Sequence, residues 1–180
     1  MDVVPVPCLS DNYAYLLIDR ASSTAAAVDP VEPEKLLAAA KARNVRITTV
    51  LTTHSHWDHA GGNVELKKRC ASVEVVYGGA GDGVAGCTQE LNDGDTFALG
   101  NSTVQVLSTP CHTRGHTMFA LLDAEERRVE ALFSGDTLFC GGCGAPFEGP
   151  SEHVAYNFRA LYHRCDDTTL LFPGHEYSET

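Results

Sequence analysis

Apolar residues recur along this chain in short runs, alternating with polar ones or wholly apolar, and each run is cut off by polar turn residues. VVPVP, YAYLLID at 13 to 19 and TAAAVDP at 24 to 30 read as strands of one sheet. VRITTVLTT at 45 to 53 is a β-branched strand. VEVVY (73 to 77), DTFAL (95 to 99), TVQVLSTP (103 to 110), TMFALLD (117 to 123), RVEALFSGD (128 to 136) and TTLLFPG (168 to 174) continue the series, with DAEERR as a hairpin turn. The period changes in three places. EPEKLLAAAKARN sets Leu36, Leu37 and Ala40 on one helical face from about 33 to 43, with Pro33 and Glu34 at its start and Asn44 as its stop. A second helix follows Gly62 and carries Val64 and Leu66; its Lys67, Lys68 and Arg69 read as a solvated face. A third, 151 to 164, aligns Val154, Phe158 and Leu161. Strands interspersed with helices predict an α/β fold with mixed pairing rather than an all-β sandwich. No linker, repeat or low-complexity tract interrupts the chain, so one compact domain is expected.

At 180 residues the chain can bury a substantial core. Charge changes the picture more: 13 basic against 24 acidic residues leave a net charge of −11, a field that repels phosphate backbones and anionic lipid surfaces. No nucleic acid or membrane partner is expected. No run approaches the ~20 apolar residues that span a bilayer, and MDVVPVPCLSDN lacks the basic and apolar regions of a signal peptide, so a cytoplasmic protein is expected. Seven cysteines, an odd number at irregular spacing, read as free thiols of a reducing compartment. Cys140-Gly-Gly-Cys143 has no second C-x-x-C and no βαβ context, and reads as incidental.

The chemistry concentrates in TTHSHWDHAGG, where His54, His56, Asp58 and His59 crowd the end of a predicted strand. Chance placement of His-x-His-x-Asp-His in a chain of this composition is on the order of one in a thousand. Imidazoles and a carboxylate are the donors that zinc and similar divalent metals prefer, whereas the competing reading is a solvated polar loop. His112 in STPCHTRGHT, Asp136 in FSGDTLF and His175 in LFPGHEY each follow a predicted strand as well. Taken singly they would be surface histidines or a turn aspartate. Their shared position lets the strands aim all of them at one sheet edge.

THSHWDHAGG, together with PCHT at 110 to 113, GDTLF at 135 to 139, GCGxxFEG at 142 to 149 and GHEY at 174 to 177, resembles the glyoxalase II (hydroxyacylglutathione hydrolase) group of the metallo-β-lactamase superfamily. The resemblance implies a four-layer αββα sandwich with mixed sheets and two divalent metals, zinc foremost with iron or manganese as alternatives. Carried over, His54, His56 and His112 would hold one metal, Asp58, His59 and His175 the other, and Asp136 would bridge them. The implied reaction is attack of a metal-bridging hydroxide, oriented by Asp58, on the carbonyl of an S-(2-hydroxyacyl)glutathione such as S-lactoylglutathione, a step of methylglyoxal detoxification. Tyr177, Cys143 and Phe147 would contact the substrate. His116 lies in the same loop as His112, is not one of the family's ligands and reads as structural.

Two departures stand out. The family carries a basic residue after GCG that meets a carboxylate of glutathione, where this chain has Ala145. Loss of a charge-assisted contact worth about 1.5–3 kcal/mol implies weaker glutathione affinity. Arg114 reads first as an exposed loop arginine, with a rim cation as the alternative. The family also continues past GHEY into a helical domain, whereas this sequence stops at Thr180, so one domain over 1–180 is expected. The rival readings are another enzyme of the fold, such as a persulfide dioxygenase with a single iron, and a catalytically weak metal-binding protein.

Overall fold

A computed structural model describes residues 1–125 and 128–178. The expected DAEERR turn therefore lies partly outside the described residues. The first sheet has six strands in sequential order: β1 (Asp2–Cys8), β2 (Asn12–Asp19), β3 (Thr24–Val28), β4 (Arg46–Leu51), β5 (Val75–Gly79) and β6 (Gln89–Leu91). Its first three strands pair antiparallel, and β3 through β6 are parallel. Parallel neighbours need a crossover. Helix α1 (Pro33–Ala42) supplies the one between β3 and β4; α2 (Trp57–Ala60) and α3 (Asn63–Arg69) supply the next. The second sheet runs β11 (Leu170–Pro173), β10 (Val129–Gly135), β9 (Thr117–Leu122), β8 (Ser102–Ser108) and β7 (Thr96–Leu99), antiparallel except for the β10–β11 pair. Helix α4 (Ser151–Tyr162) precedes β11.

Strand alternation builds three apolar layers. In β2, Ala14, Leu16 and Ile18 face outward and pack with Leu36 and Ala40 of α1 and Leu66 of α3. Tyr15 and Leu17 point the other way and meet Val106, Phe119 and Phe133 of the second sheet. Beyond that sheet, Met118, Ala120 and Leu132 pack against Leu161 of α4, with Phe158 partly buried beside them. Helix, sheet, sheet, helix is the expected αββα order, with mixed pairing in both sheets.

The helix limits follow local chemistry. Proline opens α1, where its missing N–H is not needed, and Asn44 closes it in the left-handed region at φ +55°. Two elements escape the sequence pattern: α2 is a single turn, and β6 is three residues of which only Leu91 is buried. β5 also starts two residues later than expected, because Val73 is still bonded to Cys70 in the preceding turn. Among the described residues, no helix is long and apolar enough to cross a membrane.

Candidate metal centre

The loops leaving β4, β8, β10 and β11 open at one edge of the two sheets, and each delivers one part of a polar cluster. From the first come His54, buried, and His56, Asp58 and His59 on and beside α2. The others bring His112, Asp136 and His175, each more than nine-tenths buried. Donor atoms of His54, His56 and His112 lie within 4.8 Å of one another, as do those of Asp58, His59 and His175 and those of His54, His59 and Asp136. Asp136 sits between the groups: Oδ1 is 3.3 Å from His59 Nε2, and Oδ2 is 3.3 Å from His112 Nε2 and 3.4 Å from His175 Nε2. A side chain in place of Gly174 would put its Cβ 2.5 Å from Asp136 Oδ1, so only glycine can precede His175 here.

Outer partners fix which nitrogen each imidazole turns inward. Thr53 Oγ1 donates to Asp29 Oδ2 at 2.7 Å and so accepts from His54 Nδ1 at 3.1 Å. His54 Nε2 is left with its lone pair inward, buried and without a partner. His112 Nδ1 donates to the Ala145 carbonyl at 2.9 Å, His59 Nδ1 to Asp29 Oδ2 at 2.9 Å and His175 Nδ1 to Asp11 Oδ1 at 2.8 Å. Four imidazoles thus have the outer N–H anchored and Nε2 turned inward, the arrangement that metal-ligating histidines adopt. An orphaned buried acceptor costs about 1–3 kcal/mol. A cation among these atoms would satisfy His54 Nε2.

The electrostatics divide the cluster. Burial, with His59 nearby, holds His54 well below the ordinary histidine range, and burial also lowers His112. Burial pulls on His59 as well, but hydrogen bonds and charge from Asp136 and Asp29 outweigh it and carry the ring to about 10. His175 reaches about 10 in the same way, through Asp136, Asp58 and Asp11. Burial opposes ionisation of Asp136 and Asp58, and their histidine partners overcome it in both. A metal takes neutral imidazole, so loading at pH 7 must displace protons held between His59 and His175, whose Nε2 atoms are 3.3 Å apart. Zinc addition in weakly buffered solution is expected to release roughly one to two protons per chain at pH 7, fewer as the pH rises toward 10. A pH-independent release near zero would contradict the arrangement.

The remaining expected site residues lie at the rim. Phe147 is 69% exposed, with its ring 5.2 Å from His112 and 6.1 Å from His56. Tyr177 stacks on His175 at 4.9 Å on the opposite side. Cys143 is exposed in the loop whose next residue, Gly144, donates its N–H to the Asp136 carbonyl. Arg114 is bound to Glu148, through its backbone N–H at 2.9 Å and its Nε at 3.5 Å. His116 is structural: its Nε2 accepts from the Asp136 N–H at 3.1 Å, its Nδ1 meets Thr109 and Thr137, and burial lowers it to about 3. All seven cysteines are free thiols.

Residues that the motifs did not single out support the cluster. Asp29 holds Thr53 and His59; Asn12 Nδ2 donates to Asp58 Oδ2 at 3.1 Å; Asp11 holds His175. Asp29 directly follows β3, the position that marked the ligands themselves; Asp11 and Asn12 stand in the turn before β2 and at its first residue, where no such signal exists.

Comparison with known proteins decides the family. Residues 15–175 match the metallo-beta-lactamase superfamily. The chain is 44% identical over 179 residues to the cytoplasmic hydroxyacylglutathione hydrolase of Arabidopsis thaliana, covering 99% of this chain and 69% of that protein. This chain belongs to the hydroxyacylglutathione hydrolase group of the metallo-beta-lactamase superfamily. The hydrolase fold recurs in the crystal structure of ETHE1 from Myxococcus xanthus, with TM-score 0.85 and 28% identity over 100% of this chain and 78% of that one. It recurs again in TTHA1623, crystallised in a di-iron-bound form, with TM-score 0.75 and 26% identity over 98% of this chain and 92% of that one. In this hydrolase-group chain, the fold and the His/Asp clusters suit two divalent cations.

Proposed function

We propose that the chain hydrolyses S-(2-hydroxyacyl)glutathione thioesters, such as S-lactoylglutathione, to glutathione and a 2-hydroxy acid in the cytoplasm. The observation that carries this reading is the 44% identity to a hydroxyacylglutathione hydrolase along 99% of the chain. In this reading His54, His56 and His112 hold one divalent cation, Asp58, His59 and His175 hold the second, and Asp136 lies between them. Zinc is proposed for both, because it suits the nitrogen and oxygen donors. The di-iron form of TTHA1623 makes iron the alternative that metal analysis must test.

When bound, the two cations supply water ionised near neutrality and positive charge for a developing oxyanion. The chain's own groups do the rest. Asp58, held ionised and steadied by Asn12, accepts a hydrogen bond from the attacking water and orients it. The leaving thiol has an ordinary pKa of ~8.5, so the thiolate departs without a strong general acid. Phe147 and Tyr177 offer ring faces to the substrate at opposite ends of the cluster, and Cys143 borders it. Ala145 gives a glutathione carboxylate no cation, which predicts a raised KM for glutathione esters.

Thiol release by the metal-loaded chain tests the proposal, with a lactoyl ester of glutathione compared against the same acyl group on a small uncharged thiol. Faster, saturable turnover of the glutathione ester is expected. Equal, unsaturated rates would remove glutathione from the reading, and no release from a chain holding two metals would overturn it.

A further inference from the structure

Asp29 reaches both metal positions, His59 directly and His54 through Thr53, and other outer groups serve one side each. Asp11 and Asn12 serve the His175 and Asp58 side. On the other side one carboxylate recurs that touches no proposed ligand. Asp82, only 9% exposed in the loop after β5, accepts the Ser55 N–H through Oδ2 at 2.6 Å and the Gly115 N–H through Oδ1 at 2.8 Å. Ser55 separates His54 from His56, and Gly115 lies three residues beyond His112. The contact is close enough that a Cβ on Gly115 would meet Asp82 Cβ at 2.5 Å. Asp82 itself is flanked by Gly81 and Gly83 at φ +74° and +73°, which give the loop the turns that swing its carboxylate inward.

His54, His56 and His112 come from loops far apart in sequence, and the three imidazoles carry no counter-charge of their own besides Asp136. At their base the Thr117 N–H donates to the Thr53 carbonyl at 2.9 Å, and beyond that bond the loops are tied by side chains. Among the described residues, Asp82 is the side chain that bonds backbone in both. We propose that Asp82 is a positioning residue for one metal position alone, clamping the loop of His54 and His56 to the loop of His112. Loss of Asp82 should therefore act on that position, whereas Asp29 and Asp136 reach both. This rests on the two-metal reading given above.

The test is metal stoichiometry and affinity, measured by titrating the full chain with zinc or cobalt(II) against a competing chelator. The parent is expected to bind two ions; if it binds fewer, the two-metal reading fails before Asp82 is tested. Asp82→Ala is expected to bind one ion with the parent's affinity and the other about 10–100-fold more weakly, the usual cost of losing a group that orients metal ligands. Asp82→Asn keeps one acceptor and should fall between. Gly115→Ala keeps the carboxylate but forces the loops apart, and should reproduce the one-sided loss. His175→Ala weakens the opposite ion, so Asp82→Ala/His175→Ala should hold none tightly. Thermal unfolding of the metal-free variants reports whether they fold. Two ions bound at parental affinity in folded Asp82→Ala, or equal weakening of both, would overturn the proposal.

Discussion

Replacing Asp136 with alanine is expected to abolish turnover while the two sheets stay folded. The carboxylate faces both clusters, within 3.4 Å of His112, His59 and His175. Removing it takes a donor from each proposed metal position and the counter-charge that keeps His59 and His175 in their raised range. The loss should exceed the roughly 10–100-fold that removal of an outer partner costs, because a direct donor is gone from both ions. Folding should survive, because the backbone of residue 136 is held without its side chain. Its N–H donates to His116 Nε2 at 3.1 Å and its carbonyl accepts from Gly144 at 2.9 Å. Turnover within tenfold of the parent, with both ions bound, would contradict the assignment. Near-UV and far-UV circular dichroism separates loss of chemistry from loss of fold.

Each polar residue of the motifs follows an apolar strand, and strands of one sheet edge converge, so the set His54, His56, Asp58, His59, His112, Asp136 and His175 could be collected before any geometry was known. The apolar and alternating runs located ten of the eleven strands among the described residues, and Pro33 with Asn44 bounded α1. What failed has a common physical cause. β6 and α2 exist through long-range partners, the Tyr77 to Gly79 backbone for the one and the cluster around His59 for the other, and neither carries enough periodic residues to announce itself. Asp29, Asp82 and Asp11 are lone polar residues in turns. Their bonds cross to His59, Gly115 and His175, and such closures are set by packing of the sheets rather than by local pattern. Arg114 is the exposed loop arginine that its position suggests, and the Glu148 carboxylate beside it was not legible.

Asp29 gives the largest expected effect on stability. It is 3% exposed and sits at φ +46°, a left-handed conformation that a residue other than glycine adopts at some cost. Three donors converge on its carboxylate: the Thr53 N–H at 2.8 Å, the Thr53 hydroxyl at 2.7 Å and His59 Nδ1 at 2.9 Å. Alanine would leave all three buried groups unpaired and keep the unfavourable φ. Breaking a buried charged pair from one side typically costs about 3–5 kcal/mol, so Asp29→Ala should lose that much in urea unfolding of the metal-free chain. Asparagine tolerates the left-handed backbone and can still accept the Thr53 N–H, but its amide faces the other two donors. Asp29→Asn should therefore recover part of the loss and no more. Both changes also free the His59 ring and, through Thr53, the His54 ring, so metal affinity should fall at both positions, in contrast to the one-sided effect expected at Asp82. An Asp29→Ala chain within about 1 kcal/mol of the parent would mean that water replaces the carboxylate and that Asp29 does not organise the centre.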